Sequence, residues 1–258
     1  MRKLIAVLAI LFLARTADAG VSIVVYNQTT NTTVTASEAD LVRPIASITK
    51  LMTAMVVLDS NQPLYEQLNL YSKLGSFLPA RMYTREELLE AMLIKSDNAA
   101  AETLACADDR GRFLKAMNDR ARALGMMNTH FDDPSGLGAL NTSTARDLVL
   151  LVQAAARYPF IRAASVKKTA IIETKVKKQI RTIRLEHTSA PYLFQFENIQ
   201  ITKTGLTNAA GWCVALQVEQ KGQIYQLIVL GSKTKQQRLD KVKDLMYNNV
   251  IDSNIYER

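Results

Sequence analysis

The chain has 258 residues, 48% hydrophobic and 22% charged, with a formal net charge of +8. This composition excludes a disordered or collagenous protein and leaves enough apolar residues for the core of one large domain or two small ones. Two cysteines do not make a disulfide scaffold. Two histidines far apart, His130 and His187, argue against a histidine-ligated metal site and against a histidine-driven serine triad.

The chain starts Met1-Arg2-Lys3, continues with the apolar run Leu4 to Ala14 and reaches Ala17-Asp18-Ala19. A basic start, a short apolar stretch and an A-x-A site predict a secretory signal peptide over residues 1–19, cleaved after Ala19. The run is too short to span a bilayer. Loss of Arg2, Lys3, Arg15 and Asp18 lowers the net charge from +8 to +6. The expectation is a basic, exported protein, residues 20–258, with no membrane span after signal removal. Val21–Tyr26 is β-rich and, with the polar turn after it, predicts a first hairpin. Ala46–Leu58 predicts a helix apolar on all sides and therefore buried. Thr84-Arg85-Glu86-Glu87 is a capping box that starts a helix running to about Ile94. A break at Lys95–Asn98 precedes a helix over Ala99–Ala107. Further helices are expected over Arg112–Leu124, stopped by Gly125, and Thr144–Ala156, ended before Pro159. Asp132–Gly138 reads as a loop. Strands are expected at Thr169–Lys175, Arg181–Leu185, Ile199–Thr204, Trp212–Glu219 and Ile224–Leu230, the last two joined by the turn Gln220–Gln223. A final helix covers about Gln237–Tyr247.

The order strand, helices, strands, helix predicts an α/β (α+β) domain, with a helical block inserted between the first strands and the later ones. The first strands are expected to pair with the last in one antiparallel sheet. Basic residues cluster at Lys167, Lys168, Lys175, Lys177, Lys178, Arg181 and Arg184 without interleaved aromatics. That pattern fits a solvated hairpin face and argues against nucleic-acid binding. Cys106 and Cys213 sit in apolar contexts and are expected to be two buried thiols.

Three S-x-x-K motifs occur: Ser47/Lys50, Ser165/Lys168 and Ser232/Lys235. About one is expected by chance. Only the first opens a helix predicted to be buried. The i, i+3 spacing puts Ser47 and Lys50 on one face, one turn apart. Desolvation would lower the Lys50 pKa and let it act as a base for a serine nucleophile. The alternative is a lysine that snorkels outward or pairs with a carboxylate. Ser96-Asp97-Asn98 is the only S-x-N in the chain, and Lys203-Thr204-Gly205 the only K-T-G. Alone, the first is a common helix cap and the second an ordinary strand end. Ser96 and Asn98 fall at a break between helices, where short polar side chains can face a cleft. Gly205 leaves room for close approach of a ligand.

In that order, S-x-x-K, S-x-N and K-T-G resemble the motif set of the penicillin-binding proteins and class A β-lactamases. The phrases R-P-I-A-S-I-T-K-L-M-T-A-M, A-L-G-M-M-N-T-H-F, S-T-A-R-D-L and K-T-G-L-T-N-A-A-G-W-C are similar to the low-molecular-mass penicillin-binding proteins, the serine D-alanyl-D-alanine peptidases. The resemblance runs from about Val21 to about Asp240. It looks most like the small unanchored D,D-endopeptidase type, because the chain stops where the first domain of the anchored carboxypeptidases would end.

The resemblance implies a β-lactamase/transpeptidase-like fold, an antiparallel sheet flanked by helices with an all-helical subregion. It also implies a periplasmic enzyme without metal or cofactor. Its partners would be peptidoglycan stem peptides and cross-links, with β-lactams as covalent inhibitors. It implies that Ser47 is the nucleophile, Lys50 its base and Ser96 a proton relay. Asn98 would hold the substrate amide, Lys203 support the proton network and Thr204 contact a substrate carboxylate. The N–H groups of Ser47 and Leu206, beside Gly205, would form the oxyanion hole. Arg238 stands where the family often places a carboxylate-binding arginine; the alternative is a surface arginine on the last helix. Two departures stand out. Leu206 occupies a position often aromatic or histidine, and the loop Asp132–Gly138 lacks the E-x-x-x-N deacylation pattern of class A β-lactamases. Slow release of a penicilloyl ester is therefore expected. A β-lactamase and a non-catalytic peptidoglycan-binding relative are the competing readings.

Overall fold

The computed structural model describes residues 20–107, 109–176 and 179–251. The segment 1–19, Lys177 and Lys178 therefore lie outside the described residues, as does the polar end at 252–258. Strands β1 (Ser22–Asn27) and β2 (Thr32–Ser37) form the expected hairpin. A short β3 (Arg43–Pro44) leads into a 3-10 turn, Ala46–Thr49, and α1 (Lys50–Asp59). Then come β4 (Gln67–Asn69), β5 (Met82–Thr84) and α2 (Arg85–Glu90), followed by a π-helical turn, Ala91–Lys95, and α3 (Asn98–Cys106). Next are α4 (Arg110–Ala123), β6 (Thr142–Ser143), α5 (Ala145–Ala155) and α6 (Pro159–Val166). The hairpin β7 (Thr169–Val176) and β8 (Gln179–Glu186) precedes α7 (Ala190–Gln195). Three long strands, β9 (Ile199–Thr207), β10 (Gly211–Gln220) and β11 (Gln223–Ser232), and then α8 (Lys235–Asn249) finish the fold.

The main sheet has five antiparallel strands in the order β2-β1-β11-β10-β9. The first strand therefore pairs with the last, as the sequence predicts. The single sheet expected from the sequence is corrected in one respect. β7 and β8 pair with each other in a separate ladder and pack against the π-helical turn. Their basic, alternating sequence suits a hairpin with one solvated face better than a strand of a doubly covered sheet. Helices α6 and α7, unpredicted, each carry a proline in the first turn, which suits a helix start.

Both faces of the sheet are buried. Cys213, Ala215, Ile228 and Leu230 join the core formed with α1, α3 and α5, whereas Val214, Leu216, Leu227 and Val229 join a second core under α8 and α7. Successive strand residues point to opposite faces, so β10 and β11 read as near-continuous apolar runs. α1 is buried over Lys50–Val57, which places a lysine inside the core at the price of desolvation. β9 is one edge strand, and the 3-10 turn with Ser47 lies against it. The cleft therefore runs between the helical block and the β9 edge.

The two cysteines are both free, but the pair of buried thiols is half corrected: Cys213 is buried and Cys106 is exposed. Cys106 is the last residue of α3, where its thiol lies beside the ion pair of buried Glu102 with exposed Arg110.

Candidate active site

Local backbone geometry aims the serines. Ala46 adopts a left-handed conformation at φ 48°, uncommon for a residue with a side chain, and turns the chain into the Ser47 segment. Two glycines press on this turn. A Cβ on Gly136, at φ +73°, would lie 2.0 Å from the Ala46 carbonyl oxygen. A Cβ on Gly205 would lie 3.1 Å from the Ser47 nitrogen. The K-T-G glycine thus lets β9 approach the Ser47 turn. Ser96, at φ 63°, ends the π-helical turn in the same left-handed region. π-turns and strained residues concentrate at functional sites.

Lys50 is fully buried. Its Nζ bonds to Ser47 Oγ at 2.8 Å, Asn98 Oδ1 at 2.8 Å and the Ser135 carbonyl at 2.6 Å. Burial pulls its pKa from 10.5 down to about 7, against the opposing charges of Asp133 and Asp97. The geometry also decides where the lone pair goes. A neutral amine has two hydrogens, and the Ser135 carbonyl and Asn98 Oδ1 are obligate acceptors. They take both hydrogens and leave the lone pair facing the Ser47 hydroxyl.

Lys203, also fully buried, donates to Ser96 Oγ at 2.9 Å and to the Thr204 carbonyl at 3.0 Å. Burial first, then the Lys50 and Arg238 charges, hold its pKa well below the ordinary value. The Thr204 hydroxyl donates to the Thr188 hydroxyl at 2.9 Å. Leu206, about half exposed, stands at the cleft mouth.

Asp97, the middle residue of S-D-N, faces away from the chemistry. One oxygen caps α3 through the Ala100 N–H, and the other accepts from Ser76 Oγ and the Phe77 N–H. Asp133 organises the next loop by accepting from Ser135 N–H and Oγ, Gly136 N–H and Gly138 N–H. Burial alone would raise its pKa, but the bonds from Ser135, Gly138 and Gly136 outweigh that and keep it ionised. The buried Asn141 joins this loop to the turn that carries Ser47. Its Nδ2 donates to Thr49 Oγ1 and the Asp133 carbonyl, and its own carbonyl accepts from the Ile45 N–H.

The sequence-derived residues Ser47, Lys50, Ser96, Asn98, Lys203, Thr204 and Gly205 thus line one cleft. Arg238 is not a surface arginine. It is buried, donates to the Cys213 carbonyl at 3.0 Å and lies over the rings of Trp212 and Tyr192. It backs the K-T-G strand pair from beneath. Sequence reasoning missed Ser135, Asn141 and Thr188. Ser135 acts through its carbonyl, which has no residue signature; Asn141 and Thr188 lie in polar stretches that resemble any loop.

The sequence profile of the D-alanyl-D-alanine carboxypeptidase family matches residues 13–234. The D-alanyl-D-alanine endopeptidase of Escherichia coli is 38% identical over 219 residues, covering 81% of this chain and 70% of that protein. The chain belongs to the D-alanyl-D-alanine carboxypeptidase family. Its fold is that of solved relatives. A Streptomyces DD-transpeptidase superposes with a TM-score of 0.82 at 29% identity, over 88% of this chain and 95% of that one. Penicillin-binding protein D2 of Listeria monocytogenes, solved with bound cefotaxime, gives 0.77 at 31% identity, over 87% and 94%. This family of serine hydrolases accounts for a cleft with two buried lysines and two lysine-bonded serines. In this D-alanyl-D-alanine peptidase relative, His187 is buried and held neutral, its pKa pulled to about 3 by burial and then by Lys203. Its Nδ1 accepts from the Ser189 N–H and braces the turn that presents Thr188 to Thr204. Among the described residues, no helix is long and apolar enough to cross a membrane.

Proposed function

We propose that residues 20–258 work as one serine D,D-peptidase domain that hydrolyses D-Ala-containing peptide bonds of peptidoglycan, as endopeptidase, carboxypeptidase or both, through an acyl-enzyme on Ser47. The observation that carries this is the boxed Lys50 amine, 2.8 Å from Ser47 Oγ. With a pKa of about 7, roughly half of the Lys50 population is a neutral base at neutral pH; at 10.5 the neutral fraction would be about one in 3,000.

Ser47 Oγ attacks the carbonyl carbon of the penultimate D-Ala while its proton passes to Lys50 Nζ. The N–H groups of Ser47 and Leu206 hold the tetrahedral oxyanion, which Gly205 allows by its close approach. As the C–N bond breaks, the proton taken by Lys50 passes through Ser96, which is bonded to Lys203, to the leaving amine, and Lys50 is neutral again. Asn98 keeps Lys50 oriented with Oδ1 and offers its amide hydrogens to the substrate. Thr204, paired with Thr188, meets a substrate carboxylate, and Arg238 adds positive potential from behind. Water then hydrolyses the ester. Asp133 is committed to its own loop and so is not free to activate that water for a penicilloyl ester. The A-x-A leader and the cell-wall substrate support export to the periplasm, with stem peptides and cross-links as physiological partners.

The test is the intact mass of the mature protein after incubation with benzylpenicillin, with Ser47→Ala alongside. A persistent adduct of one drug mass, absent in Ser47→Ala, is expected. Steady drug loss without an adduct would make the protein a β-lactamase. Neither adduct nor loss would leave a peptidoglycan-binding relative.

A further inference from the structure

Across the cleft from β9 stands the S-D-N turn, joined to it by the 2.9 Å bond from Lys203 to Ser96. Lys95 immediately precedes Ser96, and its ammonium lies 4.9 Å from the centroid of the Phe77 ring. The Phe77 side chain is 58% exposed and Lys95 is partly exposed. The pair therefore sits on the outer rim of the S-D-N wall, and the proposed chemistry uses neither residue.

The backbone fixes Phe77 in this place. The loop that carries it is closed at its base by the Leu70 N–H, which donates to the Arg81 carbonyl at 2.9 Å, and the Tyr71 N–H donates to Thr103 Oγ1 of α3 at 2.8 Å. Its tip is fastened to the S-D-N turn from behind. Asp97 Oδ2 accepts from Ser76 Oγ at 2.6 Å and from the Phe77 N–H at 2.8 Å. Ser76 Oγ accepts in turn from the Leu78 N–H at 2.9 Å, and Leu78 is buried. The residues on both sides of Phe77 are thus anchored while its ring stands in water, so the ring presents a fixed apolar face beside the cleft.

The charge beside that face is available. Lys95 forms no ion pair among the described residues; its partner is the Phe77 ring. The nearby Asp97 is engaged through both oxygens, one with the α3 cap and the other with the loop tip. An exposed ring face holds an ammonium more weakly than a carboxylate does, and the ammonium keeps N–H donors for an anion. An aromatic face with an ammonium beside it suits an aliphatic stem that ends in a carboxylate. We propose that Phe77 and Lys95 form a specificity subsite for a carboxylate-bearing aliphatic side chain of the stem peptide, with Asp97 as its positioning residue. The inference rests on the D,D-peptidase reading and deepens it: Thr204 meets one substrate carboxylate on the K-T-G wall, and the S-D-N rim meets a second, carried by a side chain.

The test compares the mature wild type with Lys95→Gln, Phe77→Ala and Phe77→Tyr on three probes. The first is acylation by 6-aminopenicillanic acid, which has no acyl side chain to reach the rim. The second is cleavage of a cross-linked stem-peptide dimer that also ends in D-Ala-D-Ala, so that either peptidase activity releases a product. The third is the same dimer with its side-chain carboxylates amidated and its C-terminus free. Lys95→Gln is expected to lower kcat/KM on the free dimer about tenfold, mainly through KM, and to leave the other two probes within about twofold. Phe77→Ala is expected to lower kcat/KM on both dimers about fivefold without slowing acylation, and Phe77→Tyr, which keeps the ring, to stay within about twofold of wild type. Dimer cleavage indifferent to Lys95→Gln and Phe77→Ala, a Lys95→Gln loss equal on both dimers, or losses equal on all three probes would overturn the subsite. So would a wild type that is acylated but cleaves neither dimer. A wild type that is neither acylated nor active on a dimer would overturn the peptidase reading itself.

Discussion

Ser47 and Lys50 stand three residues apart, and so do Ser165 and Lys168. In the first pair the lysine is buried in α1 and bonded to its serine. In the second, Ser165 is buried near the end of α6, while Lys168 is exposed beyond the helix with its ammonium 4.3 Å from the Phe194 ring centroid. Spacing is identical and chemistry is not. Lys168 faces solvent and the Phe194 ring rather than the core. A lysine in the core, with two obligate acceptors taking its hydrogens, becomes a base aimed at one oxygen.

The strongest way to break this contrast is to remove each lysine. Lys50→Met should lower benzylpenicillin acylation by about 10⁴-fold, the upper range for loss of a positioned base. Lys50→Arg should fail as well, because a guanidinium stays protonated. Lys168→Met should leave acylation within about twofold, the range expected of a surface change away from the cleft. Equal losses at the two lysines, measured by stopped-flow or intact mass, would mean that burial is irrelevant.

The next effect tests the packing that holds Ser47 in place. Gly136→Ala puts a Cβ into the Ala46 carbonyl and strains a backbone at φ +73°. Destabilisation of about 3 kcal/mol and a large loss of acylation are expected. Urea unfolding measures the first. Wild-type stability in this variant would show that the close approach is not required.

The pH dependence sharpens the comparison further. Acylation should rise with pH and level off with a midpoint near 7, following neutralisation of Lys50. Its effect on stability has a definite sign. The folded pKa lies below the unfolded value, so between about pH 7 and 10.5 the unfolded state binds more protons, and stability attributable to Lys50 rises with pH. Below pH 7 the penalty is fully present, on the order of 5 kcal/mol as a ceiling. Lys50→Met should therefore be more stable than wild type at pH 6, with the gap narrowing by pH 9. The smallest effect is expected at Thr204, the residue proposed to meet a substrate carboxylate. Thr188→Val removes the hydroxyl facing Thr204 and should raise KM for a D-Ala-D-Ala peptide about threefold, with kcat nearly unchanged.

Much of the framework was legible in the chain. The capping box at Thr84 and Glu87 forms as read, because caps depend on neighbours three residues apart. The apolar run around Lys50 announced a buried helix, since an uninterrupted apolar surface has nowhere to lie but a core. The unique S-x-N and K-T-G in order after S-x-x-K pointed to one cleft before any geometry. Cys106 defeated the same reasoning: apolar neighbours in sequence did not predict the solvent-facing side of a helix end. What the tertiary structure decided were relations between distant segments. The Ser135 carbonyl meets Lys50 from 85 residues away, and Thr188 meets Thr204 across a strand boundary. Arg238 lies under β10 rather than on the surface. Local sequence determines which side chains are available and which elements they ride on. Burial, and with it the pKa of Lys50 and the direction of its lone pair, comes from segments that meet only when the sheet and the helical block close on each other.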